Sequence, residues 1–136
     1  MSIEGPDDLE MLRRIGAIVA RARDAMLEEV RDGVTTAELD EVGRDVLVAH
    51  GARSAPQLAY GFPGWTCISV NDELAHGIPS RSKVLREGDL VNVDVSAELD
   101  GYWADTGASA PVGTVAPKLR QLLWATREAQ AEAMSV

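Results

Sequence analysis

Asp94 and Asp105 stand on either side of an Asp100-Gly101 pair in the stretch DLVNVDVSAELDGYWADTGAS, residues 89–109. Before that pair, Val91, Val93 and Val95 alternate with Asn92, Asp94 and Ser96, the period-two pattern of a strand with one buried face. Asp-Gly is turn chemistry. With Asp100 and Gly101 at the loop tip, Leu99 faces Tyr102, Ala97 faces Ala104, Ser96 faces Asp105 and Asp94 faces Gly107. The two aspartates then lie on one face as diagonal neighbours, about 7–8 Å apart at the backbone. Converging carboxylates repel one another, and a hard or intermediate divalent cation between them is the chemical remedy. A one-residue change of loop length would send the aspartates to opposite faces. The same spacing also fits a solvent-facing surface that merely carries acids, and the residues alone leave both readings open.

Other residues with chemical potential lie upstream. His76 precedes a Gly-Ile-Pro turn, where the chain can hold its ring at a strand end; an ordinary, partly buried histidine reads the same way. Tyr60, Phe62 and Trp65 cluster just before Cys67 and can wall an apolar pocket or pack beneath a loop. Cys67 has no adjacent histidine or basic residue to lower its pKa, which favours a packing role over a nucleophilic one. His50, just before Gly51, suits a helix C-terminus. Glycine-rich phosphate loops and a Ser-His-Asp arrangement are absent.

These residues must be positioned by the surrounding elements. Asp7 or Asp8 is expected to cap a helix with the stripe Leu9, Leu12, Ile15, Val19, Ala22, Met26 and Val30, ended by Gly33. Thr35 to Glu38 fits a capping box opening a second helix that runs to Gly51. The two helices should be near-antiparallel neighbours, each laying one face on a sheet. Residues 52–64, rich in Pro, Gly and aromatics, read as a loop, and Cys67 to Val70 as a short strand. The valines at 91, 93 and 95, with Ala97, Ala104, Thr106 and Ala108, form the core face of the hairpin; Asn92, Ser96, Trp103, Gly107 and Ser109 accompany the aspartates. Pro117 starts a third helix with Leu119, Leu122, Leu123 and Thr126 on one side. It has no stop signal before Val136, so the chain is expected to be part of something longer.

The 136 residues suit one domain, and 46% hydrophobic with 26% charged residues is the balance of a globular protein. A net charge of −9 without a basic stripe argues against a nonspecific grip on nucleic acid or an anionic membrane. The single cysteine rules out an internal disulfide and fits a reducing compartment. There is neither a signal-peptide pattern nor an apolar run long enough to span a bilayer.

Two segments, CISVNDELAHGIP (Cys67 to Pro79) and GDLVNVDVSAELDGYWADTG (Gly88 to Gly107), resemble the N-terminal half of type I methionine aminopeptidases, within the superfamily that includes aminopeptidase P and creatinase. The resemblance implies an α+β fold, the N-terminal half of the pita-bread fold, with two long helices packed on a curved antiparallel sheet and a third helix at the C-terminus. Residues 1–136 would form a single truncated metallopeptidase domain. It also implies two divalent metal ions (cobalt, manganese, iron or zinc) held by five protein ligands, of which Asp94 matches the first aspartate and Asp105 the second, bridging one. His76 matches the histidine that contacts substrate near the scissile amide. Phe62 and Cys67 fall where the family lines its methionine pocket, with Tyr60 and Trp65 as further contributors. The implied activity is removal of the N-terminal methionine from nascent polypeptides in the cytoplasm, with the ribosome as a further expected partner. The family's other ligands, one histidine and two glutamates, come from a C-terminal half, and no histidine follows Asp105. The chain alone is therefore expected to have little or no activity, and to use a missing half or self-association to cover its sheet edge and apolar face. The alternatives are a noncatalytic peptide-binding module on the same fold and a proline-specific peptidase of the superfamily.

Overall fold

A computed structural model describes residues 3–135. Helix α1, Pro6–Glu28, begins with proline in its first turn, where a missing N–H costs nothing. Its N-cap is Gly5, a correction to the expected Asp7 or Asp8. Those acids occupy the first turn, where they complement the helix dipole. Asp8 also accepts from the Glu4 amide at 2.7 Å and from the Tyr102 hydroxyl at 2.6 Å, tying the start of the helix to the hairpin. Ile15, Ile18, Val19, Ala22 and Met26 are buried; Leu9, at the head of the stripe, is exposed.

Helix α2, Thr36–Ala49, opens with the expected capping box: the Thr35 hydroxyl accepts from the Glu38 amide at 3.2 Å, and the Glu38 carboxylate accepts from the Thr35 amide at 2.8 Å. It packs along α1 and reaches the sheet only at its margin, so the expectation that each helix covers the sheet holds for α1 alone. Gly43 permits this close approach, because a Cβ there would lie 2.7 Å from the Met26 sulfur.

Residues 52–64 are not simply a loop. Strand β1, Arg53–Ser54, leads into helix α3, Ala55–Tyr60, whose N-cap Ser54 accepts from the Gln57 amide and whose C-cap Gly61 is left-handed at φ 69°. Its proline sits in the first turn, where it starts a helix as readily as it breaks one.

Strands β2 (Cys67–Val70), β3 (Leu90–Leu99) and β4 (Tyr102–Pro111) complete an antiparallel sheet with β1. β3 is central. It pairs with β4 along its whole length and, on its other edge, with β2 near its start and β1 near its end. Asp100 (φ 52°) and Gly101 (φ 89°) form the β3–β4 tip, both at the positive φ that a two-residue hairpin turn requires. Val91, Val93, Val95, Ala97 and Ile68 are wholly buried with Ile15, Ala22 and Met26, each large side chain contributing about 1.5–3 kcal/mol of transfer free energy. Helix α4, Pro117–Met134, has no buried residue and meets the rest of the molecule at β4. The result, among the described residues, is an α+β fold of four helices and one antiparallel sheet. No helix among the described residues is long and apolar enough to cross a membrane.

Candidate metal centre

The strand pairing places Ser96 opposite Asp105 and Asp94 opposite Gly107, the register that the turn chemistry requires. Residues 103, 105, 107 and 109 are exposed while 102, 104, 106, 108 and 110 are half-covered, so α1 lies on the valine face and the aspartates project from the other. Gly107 leaves space beside Asp94: a Cβ there would come 3.6 Å from an Asp94 carboxylate oxygen and 3.3 Å from the Val93 carbonyl. The Ser96 hydroxyl donates to Asp105. Burial, then the charge of Asp105 and a hydrogen bond shared with it, hold the Asp94 carboxyl above its ordinary pKa, while His76 pulls it down. Two acids thus crowd one another beside a histidine.

Cys67 is the direct partner of Asp94 across β2 and β3, so its thiol shares the carboxylate face. It is 5% exposed, and burial followed by the charge of Asp94 raises its pKa to about 11. The thiol stays protonated at neutral pH, in keeping with a wall residue rather than a nucleophile. The Tyr60 ring lies 6.1 Å from that of Phe62, edge to face, and 6.3 Å from that of His76. Tyr60 thus links Phe62 to His76, while Cys67 lies directly across from Asp94. Trp65 is partly buried and packs against the hydrophobic core.

Two anchors fix this arrangement. Gly77 docks against β2, its carbonyl accepting from the Ile68 amide at 2.9 Å and its amide donating to the Ser69 hydroxyl at 3.1 Å. A Cβ at this position would overlap the Ile68 carbonyl. His76 precedes it in the left-handed region, φ 54°, an uncommon conformation for a non-glycine residue. The second anchor, Asp40 on α2, escapes a sequence reading. Its buried carboxylate accepts from the Trp65 amide at 3.0 Å and from the Thr66 amide and hydroxyl, each at 2.7 Å, which fixes the entry to β2. In sequence Asp40 is one acid among several on an amphipathic helix, and no local pattern singles it out.

A cavity of about 330 Å³ opens beside Asp105, lined by Pro56, Ala59, Tyr60, Ser96 and Trp103 among others. Its volume suits a small ligand group. Helix α3 supplies much of this wall, so missing the helix in the sequence also hid Pro56 and Ala59. The donor set fits a divalent cation in part. Asp94 and Asp105 offer converging hard oxygens, and a cation would relieve the repulsion between them. Among the described residues no cluster of three or more His, Cys, Asp or Glu side chains could hold a metal ion, so these two would supply only part of a ligand shell.

The chain matches the family model described as metallopeptidase family M24 over residues 10–136. It is 52% identical over 122 residues to methionine aminopeptidase 2 of Bacillus subtilis, covering 90% of this chain and 49% of the relative. Its fold is similar to that of the methionine aminopeptidase from Thermotoga maritima, with a TM-score of 0.93 and 29% identity over 98% of this chain and 53% of that one. The methionine aminopeptidase from Rickettsia prowazekii superposes with a TM-score of 0.88 at 36% identity, over 95% of this chain and 52% of that one. The chain spans about half the length of the curated relatives it matches.

Proposed function

Because the chain belongs to metallopeptidase family M24, we propose that it provides the N-terminal half of a methionine aminopeptidase site, which removes the N-terminal methionine of nascent polypeptides in the cytoplasm. The observation that carries this proposal is the convergence of Asp94 and Asp105 on one sheet face, beside His76 and the Tyr60–Phe62 pair. Asp94 and Asp105 would hold divalent cations, two in the complete site, drawn from cobalt, manganese, iron or zinc. Bound there, the cations would supply polarisation of a scissile carbonyl and a water activated at neutral pH.

The roles of this chain's own residues follow from their positions. Phe62 and the protonated Cys67 offer an apolar, uncharged wall for a methionine side chain, and Tyr60 closes it towards His76. His76 is exposed at the edge of the carboxylate face, where an imidazole can hydrogen-bond to the amide being cleaved and stabilise charge that develops on it. Gly77 and Asp40 act at a distance, as positioning residues for His76 and for β2. The products would be free methionine and a polypeptide shortened by one residue.

The test is a chimera in which this chain replaces the matching half of the Bacillus subtilis relative. Release of methionine from Met-Ala-Ser by the manganese-loaded chimera, abolished by Asp94→Ala, would support the proposal. A folded, metal-loaded chimera that leaves the peptide intact would overturn it.

A further inference from the structure

The groove between α1 and α2 holds a second concave site, built with the opposite charge. A cavity of about 400 Å³ is lined by Arg14, Ala17, Ile18, Arg21, Ala49 and His50. Arg14 and Arg21 are two helical turns apart on one face of α1, about 10 Å along the axis, within reach of a common ligand for such long side chains. Ala17 and Ile18 lie between them as an apolar floor. His50 orients one wall. Its Nδ1 lies 2.8 Å from the Val46 carbonyl oxygen, so that nitrogen carries the proton and donates. Its Nε2 is then left to accept from Arg21 Nη1 at 3.3 Å, which holds the guanidinium at the cavity and leaves its other N–H groups free.

The chain is acidic overall, with a net charge of −9. Arg23, Arg31, Arg44, Arg53, Arg81 and Lys83 are paired with carboxylates, whereas Arg13, Arg86, Lys118, Arg120 and Arg127 are not so paired among the described residues; what sets Arg14 and Arg21 apart is that they flank one cavity. Among the described residues neither Arg14 nor Arg21 has such a pair, and no acid lines the cavity. Guanidinium forks match the oxygens of a phosphate group, and two of them balance the charge of −1.5 to −2 that a phosphate monoester carries near neutral pH.

We propose that this cavity binds a phosphate group, as the free anion or as the monoester of a small molecule, held between Arg14 and Arg21 over the floor of Ala17, Ile18 and Ala49. The site is separate from the carboxylate face and stands independently of the peptidase proposal.

The experiment is an amide chemical-shift titration of the ¹⁵N-labelled chain with inorganic phosphate and, separately, phenyl phosphate, at ionic strength held constant with sodium chloride. Saturable shifts confined to Arg14, Ile18, Arg21, Ala49 and His50 are expected, with affinity falling about tenfold in Arg21→Gln, the loss of one charge-assisted hydrogen bond. Tighter binding of phenyl phosphate would identify a monoester as the ligand class, and equal binding the free anion; saturation by either supports the site. Arg14→Gln is the second variant, since the Arg14 side chain makes no hydrogen bond among the described residues and its loss leaves the fold intact. Shifts that stay linear, spread over the other arginines, or persist unchanged in both variants would overturn the proposal.

Discussion

Asp94 and Asp105 meet diagonally across the β3–β4 ladder, two residues out of direct opposition and so on one face, because Asp100 and Gly101 alone form the turn. The acid face follows from that two-residue tip. Its first consequence is a cost to the metal-free protein. The Asp94 carboxyl is held above its ordinary value of 3.8 in the folded state, so the folded chain binds its proton more tightly than the unfolded chain does. Stability from this group is present below about 3.8 and falls as pH rises through the window up to the folded value. Asp94→Asn should therefore raise the Tm of the metal-free protein at pH 7, with the gain shrinking towards pH 3. Equal melting curves in chelator at pH 7 would count against it.

Cys67 should be nearly inert. With its pKa raised to about 11, its thiolate fraction at pH 8 is about 100-fold below that of a free cysteine. Burial slows attack further. Iodoacetamide labelling of the native chain should be slower than that of the urea-unfolded chain by at least this factor, and equal rates would contradict the burial that makes Cys67 a wall residue.

Removing the Asp40 carboxylate strands the Trp65 amide and both Thr66 donors. Asp40→Ala should cost about 3 kcal/mol in urea unfolding. A loss below about 1 kcal/mol would mean that β2 is positioned by something else.

The hairpin, its register and both aspartates were legible in the sequence because each rests on local chemistry: alternation at Val91, Val93 and Val95, and a turn type that Asp-Gly favours. The capping box at Thr35 and Glu38 was legible for the same reason. Asp40 and Gly77 were not, since their partners, Thr66 and Ile68, are distant along the chain or meaningful only once the backbones meet. Helix α3 was hidden because six residues are too few to show a helical period, and because Pro56 punctuates a loop and starts a helix equally well.

The contact of Gly77 with β2 yields another expected outcome. Gly77→Ala places a Cβ against the Ile68 carbonyl, and backbone cannot yield as a flexible side chain would. A loss of about 2 kcal/mol or more is expected in thermal or urea unfolding, together with displaced amide resonances at His76 and Ser69. A variant with native stability and unmoved resonances would show that the docking of Gly77 does not position His76.

The central claim, that Asp94 and Asp105 converge to hold a divalent cation, is tested most directly by calorimetric titration of the purified chain with manganese, beside Asp105→Asn. Saturable but weak binding is predicted, since two carboxylates leave most of the coordination shell to water, and it should vanish in the variant. Manganese binding that is unchanged in Asp105→Asn, or absent from the parent chain, would contradict it.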